Sequence, residues 1–116
     1  MELETFRKYS LSLKGATEDL PFDETTLVFR VGGKIFAFTN IESIPFTFSL
    51  KCDPERAIEL REEYPFITPG WHLNKKHWNS IEPDIRMSDK FYHDLIKHSY
   101  TLVFNSLKKS EKEKLK

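Results

Sequence analysis

The stretch that decides the fold is Thr26-Leu27-Val28-Phe29-Arg30-Val31-Gly32-Gly33-Lys34-Ile35-Phe36-Ala37-Phe38-Thr39. Leu27, Phe29 and Val31 fall on one side of an extended chain, and Val28 and Arg30 fall on the other, which is the period of a strand. Lys34 to Thr39 is β-prone again. Two such runs joined by Gly-Gly make a tight hairpin, because glycine adopts the positive φ of the primed turns at no steric cost. An antiparallel sheet is therefore the frame to which the rest of the chain is added.

Upstream, Glu2 to Leu13 reads as an amphipathic helix with Leu3, Phe6, Ser10 and Leu13 near helical spacing and Gly15 as its stop. Thr17 to Phe22 is a short edge strand or extended entry segment, since Pro21 suits an edge. Asp23-Glu24-Thr25 is a turn. Downstream, Asn40 to Pro45 is a connection. Phe46 to Lys51 alternates, Phe46, Phe48 and Leu50 against Thr47, Ser49 and Lys51, as a half-buried strand does. Asp53-Pro54-Glu55 starts a helix with an N-cap acid and a proline at the first helical position. That helix buries Ala57, Leu60, the Arg61 stem and Tyr64, and Pro65 ends it. Trp71-His72-Leu73 and Trp78-Asn79-Ser80-Ile81 read as two short strands around Asn74-Lys75-Lys76-His77. Ser88 or Asp89 caps a last helix that runs to about Leu107. One of its stripes is Phe91, Leu95 and Leu102; the neighbouring one is Tyr92, Ile96, Ser99, Val103 and Leu107. Lys108 to Lys116 holds five lysines and two glutamates and reads as a frayed, polar tail.

The expected architecture is α+β: an N-terminal helix, an antiparallel sheet of about five or six strands, a second helix, and a long C-terminal helix packed on the sheet. At 116 residues the chain is one domain, residues 1–107, followed by the tail at 108–116. The aromatic fraction of 14%, with 10 Phe, predicts an aromatic core. With no signal-peptide pattern at the start, no membrane-length apolar run and a single cysteine, Cys52, the expected setting is cytoplasmic, without disulfides. A formal net charge of zero gives no general attraction to nucleic acid or anionic membrane, so such binding must come from a local patch.

One candidate patch exists. Tyr64 to Ile81 has no acidic residue, and it holds both tryptophans, two histidines and the adjacent Lys75 and Lys76. Trp71 and Trp78 have two readings: stacking platforms for bases or a small ligand, or packing on the sheet, the commoner fate of large aromatics. Lys75 and Lys76 could contact phosphates, or form a solvated turn. Lys51, Lys34 and Arg30 could enlarge the patch. Asn74 and Asn79, which flank the lysines, could bond bases or substrates, or take the usual capping and turn-forming roles. His72 and His77, five apart, do not match a helical metal pair, and no metal or other cofactor is expected. Cys52 precedes a helix N-terminus, where a thiol can be activated, although a buried, inert cysteine is the usual case. No nucleophile–base order or phosphate loop is present, so no catalytic residue is assigned and an enzyme is not expected.

Three blocks carry a family resemblance: Thr26 to Ala37, Leu50-Lys51-Cys52-Asp53-Pro54, and Pro69-Gly70-Trp71-His72-Leu73-Asn74-Lys75-Lys76-His77-Trp78-Asn79. In this order they resemble the MmcQ/YjbR family of small bacterial proteins across nearly the whole chain. The resemblance implies a compact α/β fold compared with the CyaY (frataxin-like) and secretion-chaperone-like folds, and a DNA-binding label with a double-wing contact. This chain departs from a typical DNA binder in its zero net charge and in having no recognition-helix signature. The leading expectation is a monomeric, non-enzymatic protein that binds DNA weakly and in a salt-sensitive way. The site would be residues 69–80: Trp71, His72, Asn74, Lys75, Lys76, His77 and Trp78, with Lys51, Lys34 and Arg30 as helpers. The alternative is an adaptor that binds a protein or a small ligand.

Overall fold

A computed structural model describes residues 1–70 and 74–115. The chain runs α1 (Leu3–Ser12), β1 (Thr17–Asp19), β2 (Thr26–Val31), β3 (Lys34–Asn40), β4 (Phe48–Lys51), α2 (Pro54–Glu63), β5 (Ile67–Pro69), β6 (Trp78–Ile81), α3 (Asp89–Asn105) and α4 (Lys109–Lys114). Among the described residues the strands form one antiparallel sheet of six, in the order β1-β2-β3-β4-β6-β5. The α+β architecture expected from the sequence is the one observed.

The hairpin at its centre closes as its glycines require, with φ of 58° at Gly32 and 79° at Gly33. The register slips between Phe29 and Arg30, so that Phe29 faces Ala37 while Arg30 faces Ile35. Phe36 is left over as the bulge residue, and such a residue loses its ladder partner. The buried Ser99 hydroxyl of α3 donates to the Phe36 carbonyl in its place.

Cross-strand partners share a face, and this sorts the sheet into two surfaces. Phe29, Val31, Ala37, Phe48, Leu50, Ile67 and Ile81 point one way. They bury against Phe6 of α1, Ala57 and Leu60 of α2, and Tyr92, Leu95, Ile96 and Val103 of α3. The aromatic core is literal: Phe6 stacks on Phe48 at 4.7 Å and meets Phe29 edge-on at 5.2 Å. Buried aromatic pairs of this kind add about 0.5–1.5 kcal/mol beyond the area they bury. Tyr92 is fully buried, and its hydroxyl accepts from the Asp84 amide at 2.6 Å and donates to the Asp84 carbonyl at 2.9 Å.

Four details differ from expectation. β4 begins at Phe48 and not Phe46, because the Thr39 hydroxyl donates to the Thr47 carbonyl at 2.6 Å and replaces the ladder there. The strand beside β6 is Ile67–Pro69, with Ile67 opposite Ile81. The expected strand at Trp71–Leu73 lies outside the described residues. α3 ends at Asn105, two residues short of Leu107, although Leu107 is buried as expected. The tail from Lys108 to Leu115 folds as α4 and its caps and is not frayed. Glu111 accepts from the Lys108 amide at 3.1 Å, the Lys112 ammonium lies 5.9 Å above the Phe104 ring, and Leu115 packs on the core beside Gly15.

Candidate functional site: the outer face of the sheet

The second surface of the sheet carries Arg30 and Val28 on β2, Phe38 on β3, Ser49 and Lys51 on β4, Trp78 and Ser80 on β6, and Thr68 on β5. Lys51 is directly opposite Trp78, and Ser49 opposite Ser80. Phe38 and Trp78 are on β3 and β6, with β4 between them. Phe38 is level with Ser49 and Trp78 with Lys51, so at about 4.8 Å per strand and about 3.4 Å per residue they start roughly 12 Å apart. Their rings nevertheless meet at 5.5 Å, tilted by 52°. They reach each other across Ser49, a small side chain that is only 9% exposed. A bulky residue at this position would hold the rings apart. Phe38 and Trp78 are both half-buried, so each combines a packed edge with a surface open to solvent.

Hydroxyls continue the face toward its edge. Ser49 and Ser80 share a hydrogen bond of 3.1 Å. Beyond them Thr47, Thr68 and Ser80 line a groove of about 250 Å³ whose wall includes Phe66.

The turn before β6 is built by Asn74. Its Oδ1 accepts from the Lys76 amide at 3.0 Å, and its carbonyl accepts from His77 at 3.0 Å and Trp78 at 3.1 Å. Asx turns of this kind fix a loop through side-chain acceptance. Arg61 of α2 donates to the Lys75 carbonyl at 3.0 Å, tying the turn to the helix. Lys75 and Lys76 are exposed; His77 is half-buried, and its carbonyl accepts from the Cys52 amide at 2.7 Å. Trp71 and His72 lie outside the described residues.

Not every helper residue joins the face. Lys34 is opposite Val31 and so belongs to the helix side, where its ammonium is 3.5 Å from the Ser106 hydroxyl at the end of α3. Arg30 is on the outer face but engaged, donating to Asp19 at 3.0 Å and to the Gly33 carbonyl at 3.0 Å. The residues brought together are Lys51, Trp78 and Phe38, with the Lys75–Lys76 turn leading into β6. Phe38 was missed in the sequence. Its phase with Val28 across the hairpin was the available signal, but the bulge at Phe36 breaks the simple alternation of β3.

Cys52 is 4% exposed at the entry to α2. Burial pushes its thiol up to about 11; Arg56 and Arg61 pull the other way and lose. A thiol held in that range is protonated at neutral pH and is a poor nucleophile. Among the described residues no group of three or more His, Cys, Asp or Glu side chains could hold a metal ion. No helix among them is long and apolar enough to cross a membrane.

A single antiparallel sheet with helices packed on one side and an aromatic, lysine-flanked surface on the other defines the class: a small α+β domain with its candidate site on the outer sheet face. The chain belongs to the YjbR family, whose model matches residues 11–102. It is 36% identical to the protein YbdF of Escherichia coli O157:H7 over 114 residues, covering 97% of this chain and 93% of that one. It is 31% identical to YjbR of Escherichia coli K12 over 116 residues, covering 99% and 97%. Among solved structures, protein DR2400 of Deinococcus radiodurans superposes with a TM-score of 0.89 at 39% identity, over 97% of this chain and 86% of that chain. A Pseudomonas syringae protein gives 0.74 at 27% identity, over 89% and 99%.

Proposed function

We propose that this protein is a non-enzymatic binding domain that holds single-stranded nucleic acid, DNA first among the candidates, on the outer face of its sheet. The observation that carries this reading is the Phe38–Trp78 ring pair with Lys51 in register beside it. Half-open aromatic rings offer stacking to bases that are not already stacked in a duplex, at roughly 1–3 kcal/mol per base. Lys51 sets a cation beside the rings, and Lys75 and Lys76 lie on the turn that leads into the same strand.

The charge predicts how this binding responds to salt. Three lysines on single-stranded nucleic acid give a slope of log affinity against log salt of about −2, from roughly −0.7 per phosphate neutralised. That is shallow, as suits a chain of zero net charge. The test is a salt titration of an unstructured oligonucleotide with the wild type and with Lys51→Ala and the Lys75→Ala, Lys76→Ala pair. Each change should flatten the slope. An affinity absent at low salt, or a slope that none of these changes alters, overturns the proposal.

A second reading, an adaptor for a protein segment, is favoured by a different region. Phe22 is 69% and Ile44 95% exposed, on loops that leave the same end of the β2–β3 hairpin. Apolar side chains so presented suit docking of a partner. Phe22→Asp with Ile44→Asp should leave oligonucleotide binding unchanged; loss of that binding would move the nucleic-acid site to these loops.

A further inference from the structure

Three polar side chains far apart in sequence line one small cavity between β4, β6, α2 and α3. Asn79, Cys52 and His98 line it together with Lys51, next to Cys52 in the chain, and the apolar Leu50, Leu60, Ile81 and Leu95. Asn79 is 2% exposed and Cys52 4%. Asn79 is fixed on one side, where its Nδ2 donates to the Ala57 carbonyl at 3.3 Å. That bond determines which end of the amide is left over. Asn79 Oδ1 is buried without a protein partner, and so is His98 Nε2. Orphaned polar atoms in a core are costly, so two of them on residues that line the same small space call for a shared partner. The free volume is about 10 Å³. A single water needs roughly 10–15 Å³ and two to four polar partners.

We infer that this cavity is a binding site for one internal water, which donates to Asn79 Oδ1 and to His98 Nε2 and so links β6 to α3. Cys52, on the same wall, supplies an S–H donor as a third partner. The chemistry favours water over a cation. Burial lowers the basicity of His98 and pushes the Cys52 thiol up to about 11, so imidazole and thiol are both neutral at pH 7 and no carboxylate lines the space. A divalent ion would find there no negative charge to balance its own, with Lys51 among the lining residues. The consequence reaches the outer face, because β6 also carries Trp78.

Diffraction from crystals of the full chain at about 1.5 Å or better would read the site directly. The expected result is an isolated density peak roughly 2.7–3.2 Å from both Asn79 Oδ1 and His98 Nε2. A dry cavity overturns the inference. So does a peak with anomalous signal at the zinc edge and ligand distances of about 2.0–2.3 Å, which would make the site metallic. In solution, oxygen-17 relaxation dispersion counts long-lived waters. The wild type should exceed Asn79→Leu, or His98→Phe if the first variant does not fold, by about one molecule; equal counts also overturn it.

Discussion

Ser99→Ala tests how the long helix is joined to the sheet. Ser99 is fully buried, and its hydroxyl donates to the carbonyl of Phe36, the bulge residue without a partner on β2. Alanine removes two things at once: the hydrogen bond to that carbonyl and a small volume. The dominant cost is the carbonyl left unsatisfied in the core, about 1–3 kcal/mol. The sign of the helix propensity opposes this, since alanine is the better helix former by a few tenths of a kcal/mol. The net expectation is a loss of about 2 kcal/mol. For a domain of this size about 4 °C of melting temperature accompanies each kcal/mol, so the midpoint should fall by roughly 8 °C. Ser106→Ala is the matched control. Its hydroxyl donates to Val103 within its own helix from an exposed position, and its removal should change stability by less than about 0.5 kcal/mol. Thermal and urea melts of the three proteins read the result. A Ser99→Ala midpoint within a degree of the wild type would refute the assignment of this hydroxyl as the partner of the bulge.

Gly32→Ala should destabilise more than Gly33→Ala, by about 1 kcal/mol in urea melts. Both glycines have positive φ, but a Cβ on Gly32 would lie 2.6 Å from the buried Leu107 side chain, whereas on Gly33 it meets nothing within 4 Å. Cys52 should resist iodoacetamide at pH 8 in the native protein and react quickly once urea unfolds the chain, since burial holds the thiol protonated with a pKa of about 11; rapid native labelling would contradict this. Hydrogen bonds from the Arg86 side chain and amide hold the Asp84 carboxyl down at about 2. Because the folded pKa lies below the unfolded value, this contribution is present above about pH 4 and lost as pH falls toward 2. A carbon-13 NMR titration should place the Asp84 midpoint near 2, and Arg86→Ala should raise it.

Much of the fold is legible in the sequence because its signals are local. The Gly32–Gly33 hairpin, the Asp53–Pro54 helix start and the Ser88 cap each rest on residues within a few positions of one another. β6 is visible for the same reason. What escapes is set by contacts across the chain. β4 loses its first two residues to a hydroxyl on β3. β5 is a three-residue strand that exists because Ile81 lies opposite Ile67. The tail is helical because Leu115 finds the space beside Gly15, which its lysine-rich composition conceals. The candidate site divides in the same way. The richness of residues 69–80 in Trp, His and Lys is plain in the sequence, and Lys51 follows from the alternation of β4. That Phe38 completes the ring pair depends on Ser49 being small, and that Lys34 faces away depends on the hairpin register. The grouping of Cys52, Asn79 and His98 has no sequence signal at all.

The proposed binding mode stacks bases on the outer face. The direct measurement is fluorescence anisotropy of a labelled oligonucleotide, single-stranded and as a duplex, at low salt, with the wild type, Trp78→Phe and Trp78→Ala. Stacking requires tighter binding to the single strand, largely retained by Trp78→Phe. Trp78→Ala should weaken it about 5- to 100-fold, the loss of roughly 1–3 kcal/mol of stacking. Tighter binding to the duplex, or an affinity for the single strand that a folded Trp78→Ala protein leaves unchanged, would contradict it.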